Sequence, residues 1–214
     1  MIVLALETAS PSPAVALLSD GRLFEQMLPA DRRASEELLP ALRRVLESAG
    51  RTLADCERIG VCAGPGSFTG LRVGLATAWG LGRALGIPVE AVSTLEAMAE
   101  AARSAGAGRV VAVLDAGRGD LVCERFDLSG LRVRSLAPAA LLRADGVRSF
   151  AAGDRVVALP EDLLLPLAPP APAVSTAAAL ASAIARSPRE DAGGRAPLAI
   201  YSRPSAAEEK HGAA

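Results

Sequence analysis

The chain carries few side chains able to make or break bonds, and most of the suggestive ones fall at two places. The first is Gly64-Pro65-Gly66-Ser67-Phe68-Thr69-Gly70, continuing to Gly74. Glycines ahead of a helix can offer backbone N–H groups to a phosphate. No lysine follows, so the GxxxxGK[ST] cradle is absent, and the spacing is not GxGxxG either. The plainer expectation is a tight turn with Ser67 or Thr69 as the N-cap of a helix. The second place is the pair Glu7 and Asp115, each closing an apolar run. Two carboxylates facing one cleft can hold a magnesium ion on a nucleotide, and Gly117 suits a phosphate hairpin. The alternative is that each carboxylate anchors its own turn.

The remaining chemistry is excluded by residue type. The only histidine is His211 and the only lysine is Lys210. No histidine pair can ligate a metal, and no internal histidine or lysine can serve as base, Schiff-base former or phosphate clamp. Ser67 lies outside a GxSxG elbow and has no evident partner base. The expectation is therefore no catalytic residue, no metal and no cofactor, with Glu7, Asp115 and Gly117 as the one nucleotide site to test. The net charge of −1 gives no long-range attraction for phosphate backbones, and six aromatics leave little for stacking bases. Cys56, Cys62 and Cys123 form no CxxC pair, which reads as reduced thiols in a cytoplasmic protein. Residues 1–7 lack a basic leader region, and no apolar run approaches the ~18 residues of a membrane span.

These residues need elements to hold them. Ile2–Leu6 is a continuous apolar run, the pattern of a strand buried on both faces. Ala14–Leu18 and Leu23–Met27 flank Asp20-Gly21, a two-residue hairpin signal. Leu38, Leu39, Leu42, Val45, Leu46 and Ala49 form one helical stripe, with Ser35 as expected N-cap and Pro40 as either a kink or a later start. Such a stripe most often faces a core. Arg58–Cys62 is a strand, and a second helix runs from the Gly64–Gly70 turn to Leu85, stopped by Gly86 and Pro88. Each glycine inside that helix costs roughly 1 kcal/mol relative to alanine, which points to close backbone approach by another element. Pro88–Val92 is a short strand. Thr94–Ser104 is a third helix with Leu95, Met98, Ala99 and Ala102 on one side.

The pattern then starts again. Val110–Leu114, Leu121–Phe126 and Leu131–Leu136 follow Glu7-like and Gly21-like landmarks at Asp115 and Gly130, an offset of about 108 residues, too long for a solenoid. Two related lobes are expected, over 1–104 and 105–204, with a disordered tail at 205–214. The proline-rich 159–174 reads as a surface loop, Ser175–Ala185 as an alanine-rich helix and Pro197–Tyr201 as a last strand.

Taken together, Val3-Leu4-Ala5-Leu6-Glu7-Thr8-Ala9, Ser35-Glu36-Glu37-Leu38-Leu39-Pro40, the Gly64–Gly74 string and Val92-Ser93-Thr94-Leu95 resemble the TsaB (YeaZ) family. The resemblance covers roughly residues 1–127, with a short closing match near Leu198–Arg203. It implies an α/β fold of two ribonuclease-H-like lobes of the actin/Hsp70/sugar-kinase type, mixed sheets flanked by helices. It also implies a scaffold for TsaD, the metal-dependent transferase that places threonylcarbamoyl on the adenosine next to the anticodon of tRNA, with the TsaE ATPase joining them. tRNA would be met only through that complex, and the chain alone would be a homodimer. By carry-over, the partner-binding residues are Leu38, Leu42, Val45, Leu46, Gly70, Val73, Gly74 and Thr77, so Val45→Asp would abolish partner binding and leave the fold intact. The family often has Asp where this chain has Glu7. Two other readings stay open: an ATP-binding phosphotransferase of the same fold, and a direct tRNA binder using Arg32, Arg33, Arg43 and Arg44.

Overall fold

The computed structural model describes residues 1–29, 32–106, 108–160, 163, 175–187 and 198–200. The expected tail at 205–214, with Lys210 and His211, and nearly all of the proline-rich loop lie outside the described residues.

β1 (Ile2–Glu7), β2 (Ala14–Ser19) and β3 (Arg22–Met27) form an antiparallel meander. Asp20 and Gly21 both adopt positive φ, the geometry that matches a two-residue turn to strand twist. β4 (Arg58–Cys62) adds parallel to the other side of β1, and β5 (Val89–Val92) adds parallel to β4. The strand order is β3-β2-β1-β4-β5.

Side-chain alternation sorts this sheet into two faces. Ile2, Leu4, Leu6, Val15, Leu17, Ile59 and Val61 meet two helices, α1 (Ala34–Ser48) and α2 (Phe68–Leu85). The other face is built from small residues, Ala5, Ala14, Ala16 and Gly60, and it receives the alanine-rich α5 (Thr176–Arg186). Small side chains on both surfaces allow close approach, and a Cβ on Gly60 would lie 2.8 Å from Ile184. The expected division into 1–104 and 105–204 therefore needs a correction, because α5 returns to the first sheet.

The second sheet repeats the first. β6 (Arg109–Asp115), β7 (Leu121–Asp127) and β8 (Arg134–Ser135) are antiparallel, and β10 (Arg155–Leu159) lies parallel on the far side of β6. Its order, β10-β6-β7-β8, mirrors β4-β1-β2-β3. β9 (Ala140–Leu142) also pairs with β7. α4 (Ala144–Ala151) covers one face through Val147 and Ala151. α3 (Thr94–Ala101) covers the other through Leu95, Met98 and Ala99, extended by Ala102 of a following 3-10 turn. α3 also packs against α5, with Ala97 on that side, so it is the wedge between the sheets.

Several expectations shift. Gly130 lies in the connection equivalent to that of Gly21, but β7 and β8 are joined by a six-residue loop (128–133) rather than a tight turn. Leu131–Leu136 keeps only two strand residues, and residues 198–200 form no strand although the Ile200 N–H donates to Ala63 O. α1 begins at Ala34, with Arg33 rather than Ser35 as N-cap, and runs through Pro40. Pro40 is exposed, so its missing N–H leaves a carbonyl that water can reach.

Candidate functional site

The Gly64–Gly74 region and the β1–β2 turn are one structure. Ser67 caps α2, its Oγ accepting from the Gly70 N–H at 3.2 Å. The Ser67 N–H donates to Ala9 O at 2.7 Å. Thr8 is buried against the first turn of α2, where its Oγ1 donates to Gly70 O at 2.7 Å. A Cβ on Gly70 would sit 1.9 Å from Thr8 O, and one on Gly74 would sit 2.3 Å from Thr8 Oγ1. Both glycines are therefore occupied by the protein's own β1–β2 turn, which corrects their assignment to a partner surface. Thr8 was missed in the sequence. The available signal was Gly70 and Gly74 four residues apart, hence on one side of a helix.

Glu7 serves the same turn. It is fully buried, and its Oε1 accepts from the Ala9 and Ser10 N–H groups at 2.6 and 2.8 Å while its Oε2 accepts from Ser10 Oγ. Asp115, at the equivalent strand end, is exposed and accepts from the Gly117 N–H at 2.7 Å. Each carboxylate anchors its own turn. Both oxygens of Glu7 are committed, so the arrangement does not present the paired ligands that a magnesium-bound nucleotide requires. Among the described residues no cluster of three potential metal ligands occurs. The three cysteines are free and buried, and burial pushes the Cys56 and Cys123 thiols up to about 11.

Burial raises the Glu7 carboxyl above its ordinary 4.5, while hydrogen bonds from Ser10 and Ala9 pull it partway back. The folded state thus holds this proton more tightly than the unfolded chain does. Stability contributed by Glu7 is complete below the unfolded value and declines as pH rises through the folded one. Glu7→Gln keeps an oxygen for both N–H donors and supplies an N–H to Ser10 Oγ. Urea unfolding between about pH 4 and pH 8 should show a falling component in the parent that is flattened in Glu7→Gln. Parallel curves for the two proteins would refute this assignment.

The helical stripe is a core element except at Leu39, which was expected on it and faces outward. Leu38, Leu42, Val45 and Leu46 are buried under the first sheet with Ile2, Leu4 and Leu17. This corrects their assignment as partner-binding residues, since the monomer already uses them. Val73 and Thr77 are half-buried on α2. The outward sides of the two helices carry other residues. Leu39 is 58% exposed on α1 and Phe68 40% exposed on α2. Pro40, Arg43, Arg72, Ala76 and Gly80 are exposed as well. The Arg72 guanidinium lies 3.8 Å from the Phe68 ring centroid and holds that ring at the surface.

A duplicated meander with a parallel fourth strand, flanked by helices and wedged by α3, makes a two-lobed α/β protein of mixed sheets, the arrangement that the resemblance implies. Comparison with known proteins is more specific. Residues 28–159 match the family model described as TsaD, tRNA N6-adenosine threonylcarbamoyltransferase. The tRNA threonylcarbamoyladenosine biosynthesis protein TsaB of Escherichia coli is 38% identical over 122 residues, which is 56% of this chain and 53% of that protein. YeaZ from Pseudomonas aeruginosa is 34% identical, with a TM-score of 0.61 over 67% of this chain and 68% of that one. A second Pseudomonas aeruginosa structure, described as similar to the peptidase YeaZ, is 28% identical with a TM-score of 0.73 over 94% and 99%. The chain belongs to the TsaD family and, within it, to the TsaB (YeaZ) group. It spans about half the length of the curated TsaB relatives from Escherichia coli and Haemophilus influenzae. No helix among the described residues is long and apolar enough to cross a membrane.

Proposed function

We propose that this chain is a non-catalytic, cytoplasmic subunit that supports the TsaD transferase, together with the TsaE ATPase, in forming N6-threonylcarbamoyladenosine next to the anticodon of tRNA. Kinship with proteins named for that pathway supports the reaction. The supporting role fits a sequence whose one histidine and one lysine stand at 211 and 210. The single observation that carries the docking mode is the exposed apolar pair Leu39 and Phe68 on two neighbouring helices whose opposite sides fill the core. Apolar groups held on rigid helices are the usual anchors of an interface. In the absence of the transferase, a second copy of the chain would cover the same surface.

Contact with tRNA would come through the complex. Of the four arginines that a direct binder would use, Arg32 and Arg44 pair with Glu37 and Arg43 pairs with Glu47. The phosphotransferase reading needs Glu7 on magnesium, and Glu7 is spent on the β1–β2 turn.

Leu39→Asp tests the docking surface. The side chain is mostly in water, so the change should cost the monomer no more than about 0.5 kcal/mol. An interface anchor replaced by a charge should weaken capture of purified transferase by ~30-fold or more, corresponding to about 2 kcal/mol. Undiminished capture by the folded variant would remove this surface from the mechanism.

A further inference from the structure

α2 is a helix without an acid. No Asp or Glu occurs between Glu57 and Glu90, yet α2 carries Arg72 and Arg83, both exposed. Phe68, Arg72, Ala76, Trp79 and Arg83 recur at intervals of three and four residues, so they share the side of the helix turned away from the core. Each arginine stacks on the aromatic ring one turn before it. The Arg72 guanidinium lies 3.8 Å from the Phe68 centroid and the Arg83 guanidinium 5.9 Å from that of Trp79. Stacking takes the flat face of a guanidinium and leaves its N–H edge for a carboxylate. It also holds the side chain along the helix, so less rotamer freedom is lost on binding.

Carboxylates of the chain itself do not meet these edges. Among the described residues neither arginine forms an ion pair. On α1, Glu37 pairs with Arg32 and Arg44, and Glu47 with Arg43. Arg83 also borders a cavity beside β5, but there Glu90 pairs with Arg58, Glu100 pairs with Arg103 and Arg186, and Glu96 lies under the charge of Arg132. Two uncommitted guanidiniums thus stand eleven residues apart on one helix side, roughly 16 Å at the rise of an α-helix. Between them Ala76 and Gly80 are exposed, and a Cβ on Gly80 would meet nothing within 4 Å, so a second helix can come close there.

We propose that the transferase lays an acidic helix along α2, with two carboxylates about three turns apart set against Arg72 and Arg83 and small or apolar residues over Ala76 and Gly80. This pairing rests on docking at the α1–α2 face and gives that face its chemical complement. A second copy of the chain fits less well. The exposed acids of α1, Glu36 and Glu47, have the same spacing, but Glu47 is held by Arg43 at 2.6 Å.

The test is capture of purified transferase by the full chain, read by biolayer interferometry across a salt series. Raising sodium chloride from about 50 to about 500 mM should weaken the parent by about tenfold or more. Arg72→Gln/Arg83→Gln should bind about tenfold more weakly at low salt and change by less than about threefold across the series. Arginines with a purely structural role would lower affinity without flattening the salt dependence. Arg72→Lys adds an amine to a chain whose one lysine is Lys210, so a carbodiimide should couple that position to an Asp or Glu of the transferase, located by mass spectrometry. An unchanged salt dependence in the double variant, or no such coupling, would overturn the proposal. Weaker self-association with unchanged capture would also overturn it and make the arginines a contact between copies. Full capture by the double variant alongside lost capture by Leu39→Asp sinks the acidic helix and spares the docking face. Full capture by Leu39→Asp removes the face and the acidic helix together.

Discussion

Val45→Asp should unfold the chain, whereas Leu39→Asp, six residues away on the same helix, should leave it folded. Val45 is 1% exposed and packs under the first sheet. The substitution removes an apolar side chain worth about 1.5–3 kcal/mol of burial. It also places a carboxyl among groups that offer it no hydrogen bond, at a cost of several kcal/mol whether it ionises or takes up a proton. A combined cost of about 5 kcal/mol or more equals the whole stability of many domains. Circular dichroism at 25 °C should show loss of helix signal, or a urea midpoint near zero. The distinction matters for function, because loss of partner capture by Val45→Asp would then report unfolding and not a contact. A folded Val45→Asp with native melting behaviour would mean that α1 is not held against the sheet as the structure has it.

That contrast also shows how far the sequence alone could be read. The first sheet was legible because β1 and β2 are nearly unbroken apolar runs and the hairpin after β2 carries Asp20-Gly21. The duplication was legible through the same strand grammar at β6 and β7. A stripe of period 3.6, however, states which residues of α1 are alike and not what they face, and the kinship argument sent Leu38, Leu42, Val45 and Leu46 to a partner while physics sent them to the core. β9, α4 and β10, three to eight residues long, were not read from the sequence. The return of α5 to the first sheet had a readable cause, alanine against alanine, but no local pattern names a distant neighbour. Glu7 and Asp115 were rightly paired by position, and their chemistry was settled by hydrogen bonds that depend on how each turn closes. The cavity beside β5 joins α2, α3, α5 and a loop of the second lobe, so no stretch of sequence announces it.

Three glycines of α2 should rank in a fixed order when each is changed to alanine. In an open helix the change gains up to about 1 kcal/mol. At Gly70 the new Cβ would meet a backbone carbonyl, Thr8 O, at 1.9 Å. A carbonyl has no rotamer to escape into, and this one belongs to a turn already fixed by Glu7, so overpacking of about 2–3 kcal/mol should dominate. At Gly74 the obstacle is the Thr8 hydroxyl, 2.3 Å away, which can rotate at the loss of its bond to Gly70 O. That bond is worth about 1 kcal/mol, so the result should lie near neutral or slightly below. At Gly80 nothing lies within 4 Å, and Gly80→Ala should raise the urea midpoint. Gly80 is thus the glycine of α2 for which the folded chain supplies no internal reason. Its notch lies on the outward side with Ala76, where a docked helix can approach closely. Gly80→Ala should therefore stabilise the isolated chain and weaken its capture by the transferase, opposite signs that a purely structural role cannot produce. Destabilisation by Gly80→Ala, or a Gly70→Ala protein as stable as its parent, would show that α2 sits differently on the sheet.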